Sequence, residues 1–167
     1  MLTDKSRLLA IDPTSKGFAF ALLEGSERLV EWGLSHVPNL EEVEYLNRIE
    51  VLLKRFSPRG LALEDPRGPG SRRGDRVVKL LRSIELLAWR YKVEIVRVSR
   101  RDVQDALGGS GRTKHALALT VARWFTELEP LVPDVRRAWD SEAERMNIFD
   151  AVSFAMTAFH LIRKRNS

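Results

Sequence analysis

The sequence predicts an α/β protein, a five-stranded mixed sheet in the order 3-2-1-4-5 with helices on both faces. Three observations carry this. Three short apolar runs open the chain, joined by links too short for a crossover, so they pair as an antiparallel meander. Two further apolar runs each follow a segment of helical period, which makes parallel crossovers. Finally, 167 residues with 44% hydrophobic content suit one domain, residues 1–167, whose core is large enough to need no cross-links.

The first strand is Leu8-Leu9-Ala10-Ile11, stopped by the turn signal Asp12-Pro13. The second runs from Lys16 to Leu23 and stops at Glu24-Gly25-Ser26. The third, from Arg28 to Val37, alternates loosely. Asn39 is a good N-cap for the next helix, and Glu42 is placed to return the capping-box bond. Leu40, Val43, Leu46, Ile49, Leu53 and Phe56 make its apolar face, and Ser57-Pro58-Arg59-Gly60 ends it. Leu61-Ala62-Leu63 is a short buried strand that ends on Glu64-Asp65-Pro66. The loop 67–74 is rich in breakers and positive charge. It leads into a helix over 75–91 with Val77, Leu81, Ile84, Ala88 and Tyr91 inward.

Val93 to Val98 is the fifth strand. Ser99 caps a short helix that Gly108-Gly109 ends. Thr113 caps the next helix, with Leu117, Val121, Trp124 and Leu128 inside. Residues 129–141 hold two prolines and read as a loop, and the last helix spans 145–163. Trp32, Trp89, Trp124 and Trp139 read as core residues rather than base-stacking platforms. There is no repeat, and no shift in composition marks a second domain.

The absence of cysteine excludes a disulfide scaffold, a thiolate zinc site and a cysteine nucleophile. His36, His115 and His160 are too widely spaced for a histidine-rich metal site. No run of about 18 apolar residues is present, and the N-terminal segment lacks a signal peptide's cleavage pattern. The expectation is a soluble, cytoplasmic protein with no membrane partner. Its formal net charge is +5 and its pI about 9.9. Residues 1–60 carry 8 basic and 9 acidic groups, residues 61–115 carry 13 and 7, and residues 116–167 carry 7 and 7. A basic field confined to the middle of the chain points to a polyanion, above all nucleic acid. Arginine outnumbers lysine 21 to 7, which suits bidentate phosphate contacts.

Against this basic background stand three carboxylates. Asp12 ends the first strand and Glu64 the fourth. Asp150 lies in the last helix with Asn147 one turn before it, so both project from one face. Ala151, Ser153 and Phe154 give Asp150 an apolar setting. Asp12-Pro13 and Glu64-Asp65-Pro66 are, singly, ordinary turn signals. Together with Asp150 and this order of elements they make an oxygen-ligand cage suited to Mg²⁺ or Mn²⁺. Two such ions, about 4 Å apart, activate a water and stabilise the leaving 3′ oxygen of a phosphodiester.

Four segments resemble a known family. Leu9-Ala10-Ile11-Asp12-Pro13-Thr14-Ser15-Lys16-Gly17 resembles the opening strand and turn of the RuvC-like Holliday junction resolvases, and Leu61-Ala62-Leu63-Glu64 their second acidic strand end. Residues Val103 to Lys114 resemble their helix, glycine loop and lysine. Asn147-Ile148-Phe149-Asp150-Ala151 resembles the closing acidic helix. The resemblance runs nearly the whole chain in order. It implies a ribonuclease-H-like fold, a homodimer, dependence on Mg²⁺ or Mn²⁺, paired nicks in a four-way DNA junction, and a place in DNA recombination and repair. It makes Asp12, Glu64 and Asp150 metal ligands and sets Lys114 near the scissile phosphate. Asn147 falls where many members carry an aspartate. Gln104 falls where many carry a lysine, and Arg100 or Arg101 is positioned to replace that charge.

Arg67, Arg72, Arg73, Arg76 and Lys79 flank the loop after Glu64, where the resemblance places a substrate-probing loop. Arg72, Arg76 and Lys79 have i, i+4, i+7 spacing if the helix starts early enough to include them. With Arg100, Arg101, Arg112 and Lys114 they form the expected nucleic-acid surface. Leu80, Leu86 and Leu87 broaden the apolar face of helix 75–91, which suits a dimer contact. Two other functions fit the same residues. One is a ribonuclease-H-fold nuclease acting on RNA or other branched DNA. The other is a non-catalytic nucleic-acid-binding relative, suggested by Asn147.

Overall fold

Two strands near the centre of the sheet position everything else. β1 (Arg7–Thr14) pairs antiparallel with β2 (Gly17–Glu24) and parallel with β4 (Gly60–Glu64). β3 (Leu29–His36) lies outside β2, and β5 (Glu94–Val98) lies parallel outside β4. The order is β3-β2-β1-β4-β5, as the sequence predicts. The computed structural model describes residues 1–107, 113–135 and 143–167.

The central strands are buried on both faces, which is why they read as apolar runs rather than alternating ones. Leu9, Ile11, Leu61 and Leu63 pack with α1 (Glu42–Phe56) and α2 (Asp75–Arg90). The residues of opposite parity, Leu8, Ala10, Ala62, Val96 and Val98, pack with α4 (Lys114–Trp124) and α5 (Met146–Asn166). Between β5 and α4 stands the short α3 (Arg100–Ala106). Small side chains meet on the α5 side. Ala10, Ala19, Ala21 and Ala62 on the sheet oppose Ala151, Ala155 and Ala158 on the helix. They allow a close approach, and 13 residues of α5 are buried. No described helix is long and apolar enough to cross a membrane.

Several local expectations are corrected. Asn39 is not the cap of α1. Pro38–Leu40 form a 3-10 turn in which Asn39 adopts a left-handed conformation, φ 53°. Glu41 caps the helix instead, its carboxylate accepting from Val43 N at 3.1 Å and Glu44 N at 2.9 Å. The buried face is also rotated. Val43 is exposed, while Tyr45 and Leu52 are buried beside Ile49, Leu53 and Phe56. The Tyr45 hydroxyl donates to Gly17 O at 2.8 Å, and that bond lets a phenol sit in the core.

Trp124 is 65% exposed rather than inward. α4 ends there, and Phe125 turns into the core in its place. Trp89 is exposed as well, and Trp32 packs against the core edge. Thr126–Leu131 form a 3-10 turn that spans the expected end of α4, including Leu128, and the start of the segment 129–141 read as loop. Trp139 and Gly108-Gly109 lie outside the described residues.

Candidate active site

Register brings the first two carboxylates together. Ile11 of β1 stands opposite Leu63 of β4, so the next step along both strands sets Asp12 beside Glu64. Their parity is that of Ala10 and Ala62, which puts both on the α5 side of the sheet. There Asp150 of α5 completes the group. All three are buried, Glu64 to 1% exposure, and burial of carboxylates demands charged or hydrogen-bonding partners.

Basic side chains meet that demand. Arg73 bridges β1 and the end of β4, with Nη2 donating to Asp12 Oδ1 at 2.7 Å and Nε donating to Glu64 Oε2. Its Nη1 also donates to Pro13 O at 3.1 Å. Arg100 Nε lies 3.1 Å from Glu64 Oε1. Lys114 Nζ lies 2.5 Å from Asp150 Oδ2.

Each cation is delivered by local chemistry the sequence encodes. Ser99 and Asp102 form a reciprocal capping box, with Ser99 Oγ accepting from Asp102 N at 3.0 Å and Asp102 Oδ2 accepting from Ser99 N at 2.8 Å. This fixes Arg100 as the first residue of α3. Thr113 Oγ1 accepts from Ala116 N at 3.1 Å and fixes Lys114 as the first residue of α4. Arg73 arrives by a folded loop. Asp65 N donates to Val98 O, Gly68 N to Asp65 O and Ser71 N to Gly68 O, while Asp65 Oδ1 accepts from Arg67 N. A Cβ at Gly68 would stand 2.7 Å from Ser99 Cβ, so only glycine lets this loop lie against the start of α3.

Electrostatics mark Asp12 as the strained member. Burial, with the Asp150 charge and then that of Glu64 adding to it, pushes its carboxyl up to about 7, although Arg73 and Lys114 pull the other way. The Arg73 guanidinium is held above its ordinary value, because Asp12 and Glu64 outweigh the opposing effect of its burial.

The other expected site residues are placed as follows. Asn147 lines the same cavity as Asp12, Lys114 and Asp150, a cleft of about 580 Å³. Arg67, Arg72, Lys79 and Arg101 are exposed. α2 begins at Asp75 with Gly74 as its cap, so Arg72 precedes the helix, and Arg72, Arg76 and Lys79 do not form one helical row. Arg76 Nη2 instead donates to Leu40 O at 3.1 Å and lies 3.4 Å from Asn39 O. Arg112 lies outside the described residues.

Two features escaped sequence reasoning. One is the bridging position of Arg73, which nothing local distinguishes from its neighbours in the loop. The other is Glu144 at the cavity mouth, paired with Lys16 at 2.6 Å and His36 at 3.3 Å. Its spacing, one helical turn before Asn147, was the available signal.

The donor set is three buried carboxylates and an amide oxygen, the hard ligands that Mg²⁺ and Mn²⁺ take. Glu64 Oε1 is buried without a hydrogen bond among the described residues and faces the Arg100 guanidinium at 3.1 Å, a charge whose place a metal cation could take. In the conformation described, no three acidic or imidazole groups among the described residues surround one point. Arg73, Arg100 and Lys114 lie against the carboxylates, and a divalent ion would need these cations to give way.

Sheet order, strand-end carboxylates and a covering helix on their face together define the ribonuclease-H-like fold. More particularly, it is the fold of the RuvC Holliday junction resolvases. A Thermus thermophilus RuvC structure matches with a TM-score of 0.66 at 22% identity, covering 95% of this chain and 96% of that one. T. thermophilus RuvC in complex with a Holliday junction substrate matches at 0.65 and 20% identity over the same shares. The yeast mitochondrial Holliday junction resolvase Ydc2 matches at 0.55 and 13% identity, covering 99% of this chain and 83% of that one. No family model and no curated protein sequence matches the chain.

Proposed function

We propose that this chain is a divalent-metal-dependent endonuclease that nicks four-way DNA junctions, acting in the cytoplasm as a homodimer. One observation carries the reading. Asp12, Glu64 and Asp150 converge, buried, beside a cleft bordered by Arg73, Arg100 and Lys114, on a fold whose solved examples include a resolvase bound to its junction.

Asp12, Glu64 and Asp150 would hold Mg²⁺ or Mn²⁺, two ions per site, with Asn147 offering a neutral oxygen. Bound there, the ions supply the Lewis acidity that activates a water and stabilises the leaving 3′ oxygen. The chain's own residues do the rest. The capped start of α4 holds Lys114 where it meets a non-bridging phosphate oxygen. Arg100, at the capped start of α3, faces the same cleft. Arg67, Arg72, Lys79 and Arg101 offer exposed charge to the flanking backbone. The packing of α5 on the sheet holds the backbone of Asp150 in place.

Paired nicks require two sites. Of the three leucines expected at the dimer face, Leu87 is buried and Leu80 packs against the core, so α2 presents Leu86 at 66% and Trp89 at 77% exposure instead. This apolar surface suits the dimer contact.

The test is nicking of labelled four-way junction, duplex, flap and RNA substrates with and without Mg²⁺. Symmetric, Mg²⁺-dependent nicks in the junction alone are expected. Preference for flap or RNA reassigns the substrate. Binding without cleavage of any of the four substrates overturns the nuclease reading.

A further inference from the structure

Arg73 differs from the other arginines of its loop. Arg67, Arg72 and Arg76 are exposed, whereas the Arg73 side chain is 19% exposed and spans both strand-end carboxylates. A guanidinium and a divalent cation answer the same field and repel each other, so Arg73 cannot keep both bonds while an ion uses the same oxygens. If Arg73 left with nothing in its place, buried Asp12 would lose its hydrogen-bonded cation and Glu64 would keep only Arg100 as an ion-pair partner among the described residues. Its departure and the arrival of an ion are therefore one exchange.

The loop is built to permit that exchange. Arg73 immediately precedes Gly74, the cap of α2, where a Cβ would meet nothing within 4 Å. On the other side the loop is held by the turns at Asp65 and Gly68. The Arg73 side chain, 19% exposed, could swing out through its own torsions without moving the loop backbone. A phosphate diester is the ligand that best receives it, since a guanidinium meets phosphate oxygens with two parallel bonds.

We infer that Arg73 is a resident counter-ion of the acidic site, exchanged for a divalent cation when a DNA phosphate draws it out, so that junction and metal bind cooperatively through this one side chain. The inference rests on the nuclease reading above and adds what governs metal loading. Because linkage is reciprocal, DNA raises metal affinity by the factor by which metal raises DNA affinity.

The experiment is a titration of the full chain with Mn²⁺, read from the paramagnetic resonance of the unbound ion, so that no cleavage is needed. Without DNA, Arg73→Gln is expected to bind Mn²⁺ roughly tenfold tighter than the parent. Asp12→Asn is expected to weaken binding in both backgrounds. Adding a four-way junction with hydrolysis-resistant phosphorothioate linkages should tighten Mn²⁺ binding more in the parent than in Arg73→Gln, and that difference is the coupling. Should Arg73→Gln not fold, Arg73→Lys is read instead. It keeps the charge but gives up one carboxylate bond, and its affinity should still exceed the parent's. Equal affinities of parent and variant, both lost in Asp12→Asn, would overturn the counter-ion role and leave the metal site standing. No Mn²⁺ binding by any form removes the metal reading itself, and this inference with it.

Discussion

Lys114 Nζ lies 2.5 Å from Asp150 Oδ2, joining the first residue of α4 to the fifth residue of α5. The pair couples a cation suited to phosphate with a carboxylate suited to metal. Replacing Asp150 with Asn keeps the shape and removes the charge. Asp150→Asn is expected to slow junction nicking about 10³-fold or more while junction binding persists. Lys114→Ala is expected to slow nicking about 10²-fold. Single-turnover rates and junction affinities measured in parallel check both. An Asp150→Asn protein that nicks at the parent's rate would remove the acidic cluster from the chemistry.

Asn147 is the neutral member of the cleft. Its amide oxygen would complete a metal's shell without adding charge. Asn147→Ala should therefore cost less activity than Asp150→Asn, about tenfold. Asn147→Asp should lower the Mg²⁺ concentration that gives half-maximal rate. Nicking rates across Mg²⁺ and Mn²⁺ series for the two variants and the parent decide this. An Asn147→Asp protein with an unchanged metal requirement counts against a ligand at this position.

The basic loop makes a separate claim. Arg72 is exposed, whereas Arg76 is tied to the carbonyls of Leu40 and Asn39. Arg72→Ala should weaken junction binding and reduce the slope of log affinity against log salt by about 1, the signature of one lost phosphate contact. Arg76→Ala should change that slope less. Equal slopes for parent and Arg72→Ala would make Arg72 ordinary solvated surface.

Asp12 gives the site a pH signature. Burial first, and then the Asp150 charge, raise its carboxyl to about 7 from the model-compound value of 3.8. The folded protein thus holds this proton more tightly than the unfolded chain. The resulting stability is fully present below pH 3.8 and is lost as pH rises through 7. In chelator, thermal stability should fall between about pH 5 and 8, and Asp12→Asn should flatten the curve and raise stability at the alkaline end by about 1–3 kcal/mol. A parent whose melting temperature is constant across that range contradicts the assignment.

The exposed apolar surface of α2 yields the last expectation. Leu86→Glu and Trp89→Glu should convert a dimer to a monomer in sedimentation, with little effect on monomer stability because both side chains already face solvent. A parent that sediments as a monomer at micromolar concentration while cutting symmetrically would place the second site elsewhere.

The sheet order, the end of β4 at Glu64, and the caps at Ser99 and Thr113 were legible because each depends on chemistry a few residues long. Asp12-Pro13, by contrast, a turn signal in the sequence, stays inside β1, which runs on to Thr14 and pairs Asp12 with Ala19. The meander follows from short links, and the caps follow from a hydroxyl before a helical run. Asn39 misled because the preceding proline starts a 3-10 turn that leaves Asn39 two residues short of the helix cap at Glu41. The tryptophans misled because ring size suggests burial, while Trp124 sits on the closing turn of its helix. Arg73 could not be singled out. Its neighbours share its charge, and only the path of the loop across two strand ends separates it from them.

The placement of Asp150 has a consequence for how activity is acquired. Residues 12 and 64 stand together as soon as β1 and β4 pair, but the third carboxylate arrives on α5, after every strand is in place along the chain. A growing or partly folded polypeptide therefore carries two acidic groups and no assembled site. The same helix buries one whole side of the sheet, so docking it closes the core and completes the cluster in one event. Under the proposed nuclease function, an intermediate that lacked this helix would be sticky but unable to cut DNA, and cleavage would begin only in molecules whose folding had finished.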